Sequence, residues 1–364
     1  MRITVLAGGV GGARFVRGVR EEVRRRFPDG AGGSEASVDV VVNTGDDLWL
    51  AGVRLWPDFD SLLYALAGVN DTERGWGRAG ETERVAAELR EWGVGWPWFT
   101  LGDLDLGTHL ARTAWLREGL APAQVAERLQ ARWPLGVRLL PATDAEVDTH
   151  VLVDDPDAPG GADAPGGGAP TRELHFQEWW TRYRATLPAR EFRQRNLGTA
   201  RPAPGVVEAI ADADVVLVAP SNPVVSIGTI LAIPGIREAL AATDAPVVGV
   251  SPIIGGAVVR GMADACLSAI GVQTDAAAVA RHYGARHSEA RHYGARSDAT
   301  GAADTTDGAR GLLDGWLVAE EDAAEVDGLR ADGFAARAVP LWMRDLETSA
   351  ALAGAALDLA LPGP

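Results

Sequence analysis

The chain alternates short, wholly apolar runs with longer stretches in which apolar residues recur every three to four positions. Arg2 to Ala7 (RITVLA) and Val38 to Val42 (VDVVV) read as strands buried on both faces, as do Asp214 to Ala219 (DVVLVA) and Pro246 to Val250 (PVVGV). Ala13 to Arg26 has helical periodicity, so the chain opens with strand, glycine turn, helix and strand, the pattern of a parallel sheet. Helices are predicted around Asp60 to Ala67, Thr82 to Trp92, Thr108 to Arg117 and Pro122 to Trp133. Strand-like runs recur at Val137 to Leu140, Thr149 to Val153, Trp316 to Ala319 and Ala338 to Trp342. The class is therefore α/β, a parallel sheet with a helical elaboration. Pro156 to Pro170, rich in Pro, Gly, Ala and Asp, cannot bury a core and reads as a mobile surface loop.

With 364 residues, 47% of them hydrophobic, the chain can bury a substantial core. A net charge of -16 would repel a polyanion, which argues against nucleic acid as partner and leaves phosphorylated small molecules to be held by metal or backbone donors. Every basic residue is arginine; without lysine, Schiff-base chemistry and a Walker loop are both excluded. The single cysteine, Cys266, rules out an internal disulfide and suits a reducing cytoplasm. Ile3 to Ala7 is too short for a signal-peptide core and no apolar run approaches a membrane span, so a cytoplasmic protein with no membrane partner is expected.

Chemistry concentrates where predicted strands end. Gly8, Gly9, Val10, Gly11 and Gly12 form a turn that lets backbone N–H groups approach an anion at a helix start, or simply a tight turn; Arg14 stands where the Rossmann fingerprint needs its third glycine. Asp46 and Asp47 follow the second strand, where open α/β sheets bind ligands. Asp58 and Asp60, then Asp103 and Asp105, add carboxylates of the kind that hold Mg2+, although Asp60 also reads as a helix cap. Ser221, Asn222 and Pro223 follow the third buried strand, and Ser251 to Gly256, including Gly255 and Gly256, the fourth; these loops offer donors to phosphate or guanine. Thr108 and His109 follow the last acidic motif, while Trp179 and Trp180 offer rings to stack on a tricycle or to pack in the core. Arg281 to Arg286 (RHYGAR) recurs as Arg291 to Arg296, a local duplication expected to decorate a surface.

In this order the motifs LAGGVGGARF (Leu6 to Phe15), NTGDD (Asn43 to Asp47), PDFD (Pro57 to Asp60), GDLD with Thr108-His109, HFQEWW (His175 to Trp180), PSNPVVSIG (Pro220 to Gly228), PGIR (Pro234 to Arg237), SPIIG (Ser251 to Gly255) and LDGW (Leu313 to Trp316) resemble the 2-phospho-L-lactate transferase family through nearly the whole chain. One departure is Leu104, between the aspartates of the third acidic motif, where many relatives carry arginine. The resemblance implies a Rossmann-like core (about 1–55 and 200–364) with an inserted, mainly helical substrate region (about 56–199) in one transferase unit, usually a homodimer. It implies Mg2+-dependent transfer from lactyl- or enolpyruvyl-diphosphoguanosine to a deazaflavin alcohol (FO), giving a precursor of coenzyme F420 and GMP. On that footing Asp47 and Asp60 are assigned to metal and to the attacking hydroxyl, and Asp46 and Asp103 to support. The residues Asp60, Asp105, Thr108 and His109 are assigned to the deazaflavin, and the glycine, Ser221 to Pro223 and Ser251 to Gly256 loops to the nucleotide.

Two rivals remain at this level. A sister family with similar glycine and Asn-Thr-Gly motifs includes regulatory proteins that bind nucleotide-sugars; PDFD and GDLD separate the transferases from it. A dinucleotide oxidoreductase is disfavoured by Arg14 and by the lack of a ribose-binding acid in its expected context.

Overall fold

A computed structural model describes residues 1–155, 157, 170–286 and 311–361. In chain order its elements are β1 (Arg2–Ala7), α1 (Gly9–Arg26), β2 (Ser37–Val42), β3 (Leu48–Leu50), β4 (Val53–Leu55), α2 (Pro57–Ala67), α3 (Arg84–Glu91), α4 (Asp103–Arg117), α5 (Pro122–Gln130), β5 (Arg138–Pro141), β6 (Thr149–Asp154), β7 (Thr171–His175), β8 (Ala189–Gln194) and α6 (Val206–Ala211). There follow β9 (Val215–Val218), α7 (Ile227–Ala232), α8 (Ile236–Ala242), β10 (Val247–Val250), β11 (Ile253–Ile254), β12 (Ala257–Val258), α9 (Ala263–Ala269), α10 (Ala276–Tyr283), β13 (Gly315–Ala319), α11 (Val326–Ala331), β14 (Ala335–Val339) and α12 (Leu346–Ala360).

The predicted parallel sheet is present: seven strands in the order β14-β13-β10-β9-β1-β2-β5, with every neighbouring pair parallel. Its strands are buried on both faces because helices cover both, which explains their continuous rather than alternating apolar runs. On one face α1, α2 and α12 pack over Val5, Val40, Leu217 and Leu317; on the other, Val41, Val216, Val218 and Val318 meet α7, α8 and α10. The chain is thus an α/β, Rossmann-like protein.

The segment 56–199 holds α2 to α5, gives β5 to the main sheet and builds a separate antiparallel sheet, β7-β6-β8. Trp179 is fully buried behind that small sheet, against Phe176 and Phe192, and donates to the Leu187 carbonyl at 2.8 Å. It is a core residue. The acidic motif at 102–105, read as a polar connection, opens α4 instead, with Asp103 and Asp105 in its first turn.

The first copy of the duplication is not surface decoration. Tyr283 is buried beside Trp316, and Arg286 pairs with Asp314 while donating to the carbonyls of Leu240, Thr243 and Ala245 at 3.2, 2.9 and 2.8 Å. It therefore ties α8 to the starts of β10 and β13. The second copy, like nearly all of the Pro156 to Pro170 stretch, lies outside the described residues.

Candidate active site

The strand order reverses direction between β1 and β9, since β2 lies on the far side of β1. Such a switch point opens a crevice at the carboxyl ends of the strands. The two loops that line it are tied together: Gly8 N–H donates to Ser221 Oγ at 3.0 Å, and Ser221 Oγ donates to the Gly8 carbonyl at 2.7 Å. Glycine is required here by close approach. A Cβ at Gly12 would lie 2.7 Å from Ser221 Oγ, and one at Gly8 would strike the Asp58 carboxylate and lie 2.8 Å from Ser226 Cβ.

Part of the expected anion cradle is filled by the protein itself. Gly8 donates to Ser221, and the Asp58 carboxylate accepts from Gly9 N–H, from Ser226 and, at 2.9 Å, from Asn43 Nδ2. Of the first-turn donors of α1 this leaves Val10 and Gly11 for a ligand, with Gly12 one step inside the helix.

Asn43 is a hub. Its Nδ2 also donates to Asp46 Oδ1 at 3.1 Å, while Gln177 Nε2 reaches Asp46 Oδ2 at 3.3 Å. Burial pushes Asp58 up to about 6, and burial together with the neighbouring Asp58 charge raises Asp46 as well. Two adjacent carboxylates bridged by one amide cannot both ionise freely.

A second group gathers around Arg112, which is fully buried and lies 4.4 Å above the Trp56 ring. Its Nη2 pairs with Asp60 Oδ1, and its Nη1 contacts the Arg54 carbonyl at 3.1 Å and His109 Nδ1 at 2.9 Å. A guanidinium only donates, so His109 Nδ1 accepts and the ring proton sits on Nε2, facing Asp105 Oδ1 at 3.4 Å. Tyr64 donates to the same Asp105 oxygen at 2.7 Å. Burial alone would raise Asp105, yet the hydrogen bonds from His109 and Tyr64 bring it below the usual carboxylate range. Thr108 lies buried beside Tyr64. Asp60 makes no capping bond, although it lies in the first turn of α2.

Asp47 lies between the two groups. Burial raises it, Arg54 and Arg112 oppose the rise, and Arg54 Nη2 stands 3.9 Å from Asp47 Oδ2 and 3.2 Å from Asp148 Oδ1. Asp47 Oδ1 and Asp60 Oδ2 are buried without a hydrogen-bond partner. One ligand atom from each of Asp60, Asp105 and His109 lies within 4.8 Å of the others, but Asp105 and His109 are already engaged by Tyr64 and Arg112. Each of the two orphaned oxygens, Asp47 Oδ1 and Asp60 Oδ2, is a hard donor of the kind a divalent cation takes alongside phosphate oxygens.

Other predicted residues lie outside these two buried groups and are engaged by local bonds. Asp103 is outside the buried groups: the Thr82 hydroxyl and the Val85 N–H, at 3.2 Å, bond its carboxylate and hold it below the usual range. Asn222 Oδ1 accepts from Val224 N–H at 2.9 Å, closing the turn that starts at Pro223, and Ser251 Oγ donates to the Ile253 carbonyl at 2.9 Å. Gly255 and Gly256 adopt positive φ, 58° and 71°, in the tight β11–β12 hairpin, where Gly255 N–H donates to Asp322 at 3.0 Å. Arg112, Arg54, Tyr64 and Gln177 were absent from the sequence-based site. A signal for Arg112 existed, since Asp105, His109 and Arg112 recur at i, i+4 and i+7 on one face of α4.

Residues 3–327 match the sequence profile of 2-phospho-L-lactate transferase CofD. The chain belongs to that family. It is similar to the phosphoenolpyruvate transferase of Thermobifida fusca, at 51% identity over 99% of this chain and 98% of the relative. The enzymes of the same name from Nocardia farcinica and Mycolicibacterium smegmatis are 49% and 48% identical, over 99% of this chain in each case and 95% and 99% of the relatives. A UPF0052-family protein from Bacillus halodurans, 16% identical, superposes with a TM-score of 0.54 over 98% of this chain and 100% of its own; it shares the fold. Membership makes this chain a transferase, and the buried carboxylates at the switch point are its candidate active site. Among the described residues no helix is long and apolar enough to cross a membrane.

Proposed function

We propose that the protein transfers the phosphate-bearing three-carbon acid of enolpyruvyl- or lactyl-diphosphoguanosine to the deazaflavin alcohol FO, forming dehydro-F420-0 or F420-0, precursors of coenzyme F420, and releasing GMP. The observation that carries this reading is the pair of orphaned, buried carboxylate oxygens, Asp47 Oδ1 and Asp60 Oδ2, at the crevice of a transferase-family fold. Relatives named phosphoenolpyruvate transferase at about half identity favour the enolpyruvyl donor. The terminal ribityl hydroxyl attacks the phosphorus that bears the acid; a new O–P bond forms, the P–O bond to GMP breaks, and the hydroxyl proton passes to a carboxylate. Burial raises both Asp47 and Asp60, which suits either as the base. Asp60 is oriented by Arg112, and Asp105 and Tyr64 fix the His109 ring beside it. Mg2+ held by Asp47 and Asp60 would neutralise charge on the diphosphate. The loops at 8–12, 221–223 and 251–256 line the nucleotide side, and α4 with α2 the deazaflavin side. The enzyme is proposed to work in the cytoplasm as a homodimer.

The test is to incubate the protein, Mg2+ and FO with each donor and weigh the products. A product heavier than FO by the phospho-acid, together with GMP, supports the proposal. Absence of both with either donor contradicts it.

A further inference from the structure

A cleft of about 290 Å³ opens beside the acidic groups, at the same carboxyl rim, between α1, α2, the loop 70–77 and the start of α12. Arg14 and Arg17 on α1 and Arg344 before α12 line it, with Trp76 on one wall. Among the described residues none of these three arginines forms an ion pair, and Arg17 Nε is buried with no hydrogen-bond partner. Arg14 reaches only the Met343 carbonyl, at 3.4 Å, which joins the two walls. The one lining carboxylate, Asp345, accepts from Thr348 N–H at 2.8 Å and caps α12.

Among the described residues, three arginines with no ion pair line this one cleft, in a chain of net charge -16. Three arginines lining one cavity offer their guanidiniums to oxyanions, which such groups bind in forked geometry. Of the two substrates proposed above, the donor carries diphosphate and carboxylate, whereas the acceptor carries hydroxyls. Val10 at one end of the cleft, and Ser61 and Tyr64 at its side, connect it to the glycine turn and to the Asp60 and Asp105 groups.

Resting on the transferase reading, we infer that this cleft receives the oxyanions of the donor, with Arg14, Arg17 and Arg344 as their counter-charges. The oxyanions are those of the diphosphate or of the three-carbon carboxylate, and the experiment separates the two. Arg14→Gln, Arg17→Gln and Arg344→Gln are compared with wild type and with Arg2→Gln, which removes one positive charge at the opposite, amino end of the sheet. Direct binding of GDP and of the enolpyruvyl donor is measured with Mg2+ present, alongside KM, kcat and melting temperature.

Loss of charged hydrogen bonds predicts about ten- to a hundredfold weaker donor binding and a matching rise in donor KM, with FO KM and melting temperature unchanged. Parallel loss of GDP affinity assigns the cleft to the diphosphate; retained GDP affinity with weakened donor binding assigns it to the carboxylate. Wild-type binding of both ligands by all three variants overturns the inference. Because binding is read without turnover, failure of the transferase reading would appear separately, as a wild-type protein that forms no product.

Discussion

Arg112 and Asp60 form an ion pair in which the arginine side chain is 0% and the aspartate side chain 6% exposed, joining α4 to the first turn of α2. Breaking such a pair by removing one partner leaves a buried charge uncompensated and costs about 3–5 kcal/mol. Asp60→Asn should therefore lower stability as well as turnover, the latter by about 10²–10⁴-fold if Asp60 acts as base. The double variant Asp60→Asn with Arg112→Met should recover much of the stability and none of the activity. Denaturant melts and turnover of the two proteins test this; near-wild-type turnover in Asp60→Asn would return the residue to a structural role.

Two imidazoles in edge-to-face contact make stability depend on pH. His150 and His175 have rings 5.4 Å apart, and burial pulls each down to about 4 from 6.5. The folded state favours their neutral forms, so their contribution is complete above about pH 6.5 and is lost as pH falls toward 4. Urea midpoints of wild type should drop more across that window than those of a His150→Gln/His175→Gln variant. Parallel curves would show that the pair does not titrate in this way.

The duplication yields an unusual pair of expectations. Deleting residues 281–290 brings the second RHYGAR into the register of the first, so stability and activity should stay near wild type. Arg286→Met removes the guanidinium that holds Asp314 and three carbonyls together, and should cost about 3 kcal/mol or more. Thermal melts distinguish the two; equal losses would mean that register with Asp314 is not what matters.

Gly8→Ala tests the closed glycine turn. Its methyl would strike the Asp58 carboxylate and Ser226, so a loss of about 1–3 kcal/mol is expected, together with weaker nucleotide binding. An alanine variant as stable as wild type would imply that the loop relaxes freely.

The sheet was legible in the sequence because strands buried on both faces are continuous apolar runs bounded by turn residues; β1 and β10 fall within a residue of their expected limits. The last strand lies about three residues before its expected place, since Ala335 and Ala336 carry too little apolar signal to mark its start. In β7 and β8, TRELH and AREFRQ are largely polar, so strands that bury only part of one face went unread. The site was legible as aspartates at strand ends. Their partners were less so: Arg112 and Arg54 look like surface arginines until the fold closes over them, and Asp103 looks equivalent to Asp105 until α4 turns only the latter inward.

Transfer at the Asp47–Asp60 site is tested most directly by following product mass from FO and the enolpyruvyl donor after chelation, then on restoring Mg2+, in wild type and Asp47→Asn. Wild type should be silent in excess EDTA and regain full turnover with Mg2+, while Asp47→Asn, folded and as stable as its parent, should stay slow by at least about a hundredfold. Full wild-type turnover in EDTA, or undiminished turnover in Asp47→Asn, would contradict it.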